Sequence, residues 1–560
     1  MLTSRIVFIG VSVGAFTAGG LVASPLPFPV DARQESGEVE VLLRERVEMV
    51  RTGLQATAAG DGLLARVALP AFYEARAFSP AWVGHPRSDA LLDGLESAIR
   101  RASEHGLDPD DYHRSELRLL RARIANDRKL PRDLADLDIL ASDAFMVLGS
   151  HLLHGRVNPE TLDPEWLSNR RSASFERVLA EAIDEGAIEE RLFDLAPAQR
   201  RYAAIVATAT RLRGIARNGG WPQIAGGPRL ERDVEDERVA ALRVRLEGSL
   251  DLPRMRGRGN LFDQAVEDAV RRFQSRHGLE ADGIVGPATL AALNVTAAER
   301  VRQLETNLER WRWLPADLGD RHVEVNIAGF DVKVVDEGRT VRSHRAVVGR
   351  QYRQTPMFSG VMTYLVLSPY WHVPPTIAAV DKLPLIKADR GTLAAQRMTL
   401  LDQRDNQPVD VESVDWAEIT GPEFNRRYRL RQDPGPANAL GGVKFMFPNR
   451  HNVYLHDTPS RELFDRASRS FSSGCIRIDD PLGLAEYLLA DQPEWTRARI
   501  DQTVAAGVER TVRLNRPVPV HLLYWTAWAD ADGTMHFRDD IYGRDRAVQA
   551  ALDAPPPGAE

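Results

Sequence analysis

Apolar residues recur at helical spacing through the first part of the chain. From about residue 41 to residue 225 they return every three or four positions, as at Leu91, Leu95 and Ile99. This period places them on one face of a helix, so the pattern predicts an all-α region. We find no catalytic motif in this stretch of sequence, and we expect its charged residues on solvated helix faces.

A second, smaller helical unit is predicted between residues 236 and 296. An apolar stripe ends at His277–Gly278, which is typical of a helix C-terminus. A turn follows, and Gly286–Pro287 begins another helix that would close a small core. The stripe consists of Phe262, Val266, Ala269, Val270 and Phe273.

The apolar period changes to two after a predicted helical linker at residues 301–314. Val323, Val325 and Ile327 alternate with polar residues, which is typical of half-buried strands, and we predict a β-rich domain. The segment 376–422 interrupts these strands with polar and helix-like sequence, and it is long enough to form a lid. Further predicted strands lie at 443–447, 452–455, 518–528 and 535–537.

Composition and charge narrow the class of protein. The chain has 560 residues, of which 43% are hydrophobic, and this length suggests roughly three or four domains. The net charge is −7 without a basic block, which argues against nucleic acid as a partner. Arg5 precedes an uncharged stretch over residues 6–30. We interpret it as a secretory signal, with an uncleaved inner-membrane anchor as the alternative.

The chemistry of the chain is concentrated at its one cysteine, Cys475. A lone thiol in an exported protein cannot form an intramolecular disulfide, and reactivity explains its presence better than packing does. A thiol nucleophile needs a base nearby, and His456 lies in the same segment. Backbone amides at Gly474 and Cys475 could hold an oxyanion, while Arg477 could lower the thiol pKa or bind a carboxylate.

Structural alternatives remain for each of these residues. Cys475 could be a small buried apolar residue, His456 a core or surface histidine, and Arg477 part of a surface ion pair. Zinc, calcium and phosphate-loop motifs are missing from the sequence, so we expect neither a metal site nor a cofactor.

Two segments resemble known families. The motifs at residues 269–293, within the predicted unit at 236–296, resemble the helical peptidoglycan-binding domain of cell-wall enzymes, although such a bundle could also be a spacer. The catalytic segment resembles the active site of the large, scaffold-bearing L,D-transpeptidases, whose motifs recur along nearly the whole chain. These are Tyr454-Leu455-His456-Asp457-Thr458-Pro459, Ser472-Ser473-Gly474-Cys475-Ile476-Arg477, Thr355-Pro356, Tyr370-Trp371 and Gly441-Gly442-Val443-Lys444-Phe445.

The resemblance implies an α+β multidomain fold and a periplasmic enzyme. In such enzymes the cysteine attacks the bond between diaminopimelate and the terminal D-Ala of a tetrapeptide stem, and an amine of another stem resolves the acyl-enzyme into a cross-link. The implied segments are a signal peptide or anchor (1–30), a helical scaffold domain (41–230), a peptidoglycan-binding domain (236–296), a catalytic domain (320–500) with its lid (376–422), completing strands (501–545) and a tail (546–560).

The resemblance also implies residue roles and an inhibitor class. Cys475 is the nucleophile, His456 the base and Gly474 an oxyanion donor, while Arg477, Tyr454, Trp371 and Ser473 line the substrate site. Carbapenem-type β-lactams are expected inhibitors. Asp457 departs from the shorter members of the family, which carry glycine after the histidine. It leaves open whether a backbone carbonyl or a carboxylate orients His456.

Two other functions fit the sequence. Water could resolve the thioester, which would make the protein a carboxypeptidase or hydrolase, although a lid that excludes water argues for an amine acceptor. The helical domains could also form a wall-binding scaffold without catalysis. The acyl acceptor and the oligomeric state stay open.

Overall fold

The computed structural model describes residues 30–53, 56–126, 130–162, 171–254 and 259–556. The predicted signal or anchor at residues 1–30 lies outside these ranges except for Val30, where a helix begins. Within them, every helix is too short or too polar to span a bilayer.

The N-terminal region is a helical domain built around one buried helix. Its α5 is buried on nearly all sides, including Asp136, Asp138 and Asp143, and packs against α1, α4 and α7, as expected of a helix surrounded by others. A small hairpin, β1 (Thr57–Ala58) and β2 (Asp61–Gly62), covers one end. The helices are α1 (Val30–Arg51), α2 (Ala68–Ala75), α3 (Ser88–Arg101), α4 (Arg114–Ala125), α5 (Pro131–His154), α6 (Pro159–Leu162), α7 (Phe175–Glu185), α8 (Ile188–Phe193) and α9 (Arg200–Arg217).

A buried histidine fixes the hairpin to α5. His113 lies between two carboxylates, with Nδ1 2.6 Å from Asp61 of the hairpin and Nε2 2.7 Å from Asp143 of α5. These carboxylates raise the pKa of His113 to about 9 against the opposing effect of burial. The imidazolium is therefore the stable form at neutral pH, and it holds two segments of the domain together.

The second helical unit has the predicted core. It comprises α10 (Arg238–Gly248), α11 (Gln264–Arg276) and α12 (Pro287–Asn294). All five residues of the predicted stripe are fully buried. The N-cap of α11 is Asp263, whose side chain accepts from the Val266 amide at 3.0 Å, which explains why the helix begins there.

The predicted helical linker is a buried structural element. Helix α13 (Ala297–Arg312) begins at a capping box between Thr296 and Glu299, packs on α9 and contacts α5. Inside it, Glu309 and Arg312 form a fully buried ion pair at 2.6 Å. Arg312 also donates to the His105 carbonyl at 2.8 Å, so α13 connects the scaffold helices firmly to the domain that follows.

The C-terminal domain is a closed sheet. Its strand order is β12-β5-β13-β11-β10-β6-β14-β3-β4, and β4 also pairs with β5, which closes the sheet on itself. A small separate sheet of β15 and β16 lies beside it. The strands are β3 (Arg321–Asn326), β4 (Asp331–Asp336), β5 (Arg339–Gly349), β6 (Phe358–Leu367), β10 (Val443–Met446), β11 (Leu455–His456), β12 (Ser470–Ser472), β13 (Ile476–Ile478), β14 (Arg510–Leu523), β15 (Ala527–Ala529) and β16 (Met535–Phe537).

The segment expected to form a lid is a small subdomain with its own core. Trp371, Phe424 and Leu430 belong to an apolar cluster separate from that of the main sheet. The subdomain begins before residue 376 and ends after residue 422, because strands on both sides of the insertion complete its sheet. Its elements are β7 (Trp371–His372), α14 (Pro375–Ile377), a π-helical turn (Ala378–Lys382), α15 (Leu383–Ala388), α16 (Gly391–Ala395), β8 (Met398–Asp402), α17 (Gly421–Arg427) and β9 (Tyr428–Gln432).

The C-terminus differs from the sequence-based expectation. Residues 546–553, assigned to a tail, belong to helix α20 (Arg544–Asp553), which packs on α13. Asp545 explains the docking, because its carboxylate binds Arg310 of α13 at 2.6 Å. Two further helices, α18 (Pro481–Leu488) and α19 (Arg497–Ala505), cover the sheet. The α+β multidomain fold predicted from the sequence is confirmed.

Candidate active site

Three neighbouring strands present polar side chains on one face of the sheet. Lys444 of β10 pairs with His456 of β11, and His456 pairs with Arg477 of β13. Paired residues of adjacent strands point to the same side, and so do residues two apart on one strand. Tyr454 and Cys475 therefore join this face, while the residues between them point into the core.

Tyr454, His456, Cys475 and Arg477 of this face line a cavity of about 580 Å³, whereas Lys444 is not in its lining. Six of the seven predicted site residues line it, and the lid subdomain contributes its roof through Trp371 and its helical turns. Gly474 is buried directly beside it. The predicted residues in the lining are Cys475, His456, Arg477, Tyr454, Trp371 and Ser473.

A backbone carbonyl orients the imidazole of His456. Its Nδ1 lies 2.5 Å from the carbonyl oxygen of Asp457, so Nδ1 carries the proton and Nε2 keeps a free lone pair. The Asp457 carboxylate faces elsewhere and accepts from the Gly442 amide at 2.7 Å and the Thr458 amide at 2.6 Å. Of the two groups left open by the sequence, the structure shows the carbonyl in contact with His456.

Burial keeps the imidazole neutral. His456 is only 5% exposed, and burial lowers its pKa to about 3, with the positive charge of Arg477 adding to the effect. A neutral imidazole can accept a proton at physiological pH.

The thiol is also neutral in the resting site. Burial raises the pKa of Cys475, although hydrogen bonds from Tyr454 and the charges of Lys444 and Arg477 oppose that rise. The sulfur contacts the Asn452 carbonyl at 3.8 Å. With a thiol pKa above the ordinary value and an imidazole pKa well below it, the site holds no preformed thiolate–imidazolium pair.

Two hydroxyl groups hold the loop that carries the cysteine. Thr355 is fully buried, donates to the Gly474 carbonyl at 2.8 Å and accepts from the Gly349 amide at 2.9 Å. Ser472 donates to the Cys475 carbonyl at 2.6 Å. Gly474 has φ of +116°, a conformation that strongly favours glycine. The loop therefore has a fixed shape before any substrate binds.

The two predicted oxyanion donors differ in their contacts. The Gly474 amide donates to Ser472 Oγ at 3.1 Å, so it is engaged within the loop. The Cys475 amide has no acceptor among the residues that the structure describes, and this leaves it able to bind a developing oxyanion.

Cations dominate the rest of the cavity. Arg350, Lys382 and Arg477 line it, and the carboxylate Asp381 is paired with Arg353. Arg353 also donates to Ser473 Oγ at 3.0 Å, so one guanidinium joins the lid to the cysteine loop. Such a cavity favours an anionic ligand.

Sequence reasoning gave no role to several of these residues. Lys444 lies in a motif quoted above, yet only the strand register shows that it shares a face with His456. Thr355 also lies in a quoted motif, but its contact with Gly474 depends on the fold. Within the described ranges, His, Cys, Asp and Glu side chains nowhere gather in a geometry that could hold a metal ion.

Comparison with known families agrees with this geometry. Residues 320–518 match the profile described as "L,D-transpeptidase catalytic domain". The chain carries an L,D-transpeptidase catalytic domain. Residues 67–208 match the profile of a "Scaffold domain", and residues 235–293 match that of a "Putative peptidoglycan binding domain". The family expected from the sequence motifs is confirmed.

Two relatives match parts of this chain. A Haemophilus influenzae protein named "Putative L,D-transpeptidase" is 34% identical over 252 residues, which are 45% of this chain and 49% of that protein. The chain thus matches about half the length of this relative. "Epoxide hydrolase 1" of Sus scrofa is 23% identical over 99 residues, 18% of this chain and 22% of that protein.

One solved structure is also similar. The solved L,D-transpeptidase structure from Xylanimonas cellulosilytica is 17% identical to this chain. The match covers 53% of this chain and 99% of the Xylanimonas chain, with a TM-score of 0.18.

Proposed function

We propose that the protein is a peptidoglycan L,D-transpeptidase that joins stem peptides through a thioester on Cys475. The arrangement of Cys475, His456 and Arg477 on one face of the sheet is the observation that carries this proposal. The catalytic-domain match supports the same chemistry.

The proposed reaction has two halves. Cys475 Sγ attacks the carbonyl carbon of the bond between diaminopimelate and D-Ala, its proton passes to His456 Nε2, and the Cys475 amide binds the oxyanion. Collapse breaks the C–N bond, and His456 returns the proton to the leaving D-Ala. An amine of a second stem then attacks the thioester and gives its proton to His456. The C–S bond breaks, and His456 passes the proton to Cys475 Sγ, which restores the thiol. The product is a link between two third-position residues.

The cavity supports an anionic peptide as substrate. The Nε of Arg477 is buried without a hydrogen-bond partner among the described residues, and a buried guanidinium group lacking a partner is costly unless a ligand supplies one. We propose that it binds a stem carboxylate, with Tyr454, Trp371 and Ser473 as further walls of the substrate site. The action on peptidoglycan implies a periplasmic location, and carbapenems that acylate Cys475 are the proposed inhibitors.

Incubation with a disaccharide-tetrapeptide tests the proposal. Mass spectrometry should detect a dimer that lacks one D-Ala, whereas a tripeptide monomer as the sole product would show hydrolysis instead. The Cys475→Ala variant should form neither product while it keeps its fold. A variant with full activity would exclude the cysteine mechanism.

A further inference from the structure

A second large cavity lies where three parts of the chain meet. It has a volume of about 760 Å³, which is in the range of small-ligand sites, roughly 300–1,000 Å³. Its walls come from α9 of the scaffold, from α10 and α11 of the small helical unit, and from the β15–β16 hairpin. We call it the junction cavity. It shares no lining residue with the catalytic cavity.

Arginines dominate the lining of the junction cavity, and most of them lack a carboxylate partner. Arg276 pairs with Asp251 at 2.5 Å, and Arg271 pairs with Glu267 at 2.8 Å. Four others form no ion pair with any residue that the structure describes. They are Arg211, Arg245, Arg272 and Arg300.

These four guanidinium groups instead donate to neutral oxygens. Arg211 binds the Gly248 carbonyl at 2.7 Å, and Arg272 binds the Asp251 carbonyl at 2.9 Å. Arg245 donates to the Leu293 carbonyl at 2.6 Å, and Arg300 to Gln303 at 2.7 Å. Backbone carbonyls satisfy hydrogen bonds but supply no net negative charge. Six arginines and three aspartates, Asp251, Asp530 and Asp532, line the cavity, so its net charge is positive.

The buried members show how the cavity is built. Arg245 is 1% exposed and stacks over Trp221, with its guanidinium carbon 3.8 Å from the ring centre. Its Nη1 is buried and has no hydrogen-bond partner in the described part of the chain. Burial lowers its pKa to about 9, and the charge of Arg300 adds to the effect. A buried guanidinium group with an unpartnered nitrogen and a lowered pKa is stabilised when an anion binds beside it.

The geometry of the cavity is fixed by bonds across the junction. Arg276 of α11 donates to the Met535 carbonyl at 2.7 Å, and Arg538 donates back to the Arg276 carbonyl at 2.8 Å. The cavity therefore exists before a ligand binds. Arg272 is exposed and Arg211 partly exposed, so the charged lining is open to solvent.

One acidic residue indicates which kind of anion fits. Asp532 lines the cavity at the hairpin tip and accepts from the Thr534 amide at 2.9 Å, but it forms no ion pair among the described residues, unlike Asp530, which pairs with Lys333 and His536. A ligand with several carboxylates and one ammonium group would use both the arginines and Asp532. A phosphate ion would use the arginines alone.

We propose that the junction cavity binds the carboxylates of a peptidoglycan stem peptide, at a site separate from the catalytic cavity. Naming the ligand as a stem peptide rests on the proposed function, whereas the anion preference rests on the arginines. The site would hold the wall by its peptides, next to the helical unit that matches a peptidoglycan-binding profile.

Photo-crosslinking tests this proposal in the full chain. A synthetic tetrapeptide stem with a diazirine is bound to the Cys475→Ala protein, irradiated, and its adducts are mapped by mass spectrometry. We expect adducts on α11 and the β15–β16 hairpin. The double substitution Arg211→Gln/Arg272→Gln should reduce them by about tenfold, whereas Arg118→Gln/Arg499→Gln, with equal charge loss at exposed positions elsewhere, should not.

Competitors decide the ligand chemistry without any variant. A stem with amidated carboxylates should crosslink at least tenfold less, and inorganic phosphate at equal concentration should displace little of the intact stem. Any of three results would overturn the proposal: unchanged crosslinking after amidation, displacement of the stem by equimolar phosphate, or adducts confined to residues 452–477. If the Cys475→Ala protein forms adducts at the junction cavity but the wild-type protein forms no cross-linked dimer, the junction site is supported and the proposed function is refuted.

Discussion

The contact that orients His456 yields a sharp prediction for Asp457→Asn. In hydrolases whose histidine is oriented by a carboxylate, the corresponding substitution lowers kcat by about 10⁴ because the imidazole adopts the wrong tautomer. Here the backbone carbonyl of residue 457 binds Nδ1, and the substitution leaves it in place. We therefore expect kcat to stay within about threefold of the wild type.

The same substitution should weaken the local structure measurably. The Asp457 side chain is 7% exposed and accepts from the amides of Gly442 and Thr458 and from Arg461. Asparagine has one acceptor oxygen, so its NH₂ group must face one of these donors. Leaving a buried donor unpaired costs about 2 kcal/mol. If the Gly442 amide loses its partner, its hydrogen exchange should accelerate by about thirtyfold.

The assay combines turnover of a tetrapeptide substrate with hydrogen exchange read by mass spectrometry. Asp491→Asn, at an exposed position, is the matched control and should change neither quantity. A loss of kcat by a thousandfold or more in a folded Asp457→Asn protein would show that the carboxylate orients the histidine. That result would refute the role we assign to the backbone carbonyl.

Three further predictions concern the lid, the base and the scaffold. Arg353→Gln and Asp381→Asn should each raise KM and the share of hydrolysed product. A double-mutant cycle should give a coupling energy of about 1 kcal/mol between the two residues. Additive effects of the two substitutions would exclude a direct link between the lid and the cysteine loop. The pKa of His456 is lowered to about 3, so protonation of this residue should not reduce kcat/KM between about pH 7 and about pH 5. A decrease of kcat/KM with a midpoint near about pH 6.5 would contradict the burial of His456. The pKa of His113 is raised to about 9, so its stabilisation is complete below about pH 6.5 and is lost as pH rises through about 9. Thermal unfolding should show a loss of up to about 3 kcal/mol over this range in the wild type and none in His113→Gln, and equal pH profiles would contradict the ion pair.

Local patterns predicted the elements well, and they pointed to the two residues that we propose to react. The apolar stripe of α11 and the alternation in β3 arise from side-chain burial along a single element, and both can be read from one stretch of chain. The lone thiol and the nearby histidine were recognisable because their chemistry has few alternative explanations. Cys475 and His456 do line one cavity.

Features that depend on tertiary contacts were not predictable in the same way. Lys444 joins His456 only through the register of β10 and β11. The burial of α13 follows from its place between the scaffold and the sheet. Helix α20 follows a polar stretch and is stabilised by the contact of Asp545 with Arg310. The junction cavity brings together arginines from four helices that no sequence period connects.

Intact-mass analysis of the purified protein with a tetrapeptide stem, quenched in acid during turnover, tests the central claim most directly. The account predicts one covalent adduct with the mass of the stem less its terminal D-Ala, mapped to Cys475 and lost in Cys475→Ala. Formation of cross-linked product without any adduct at Cys475, or with an adduct at another residue, would contradict it.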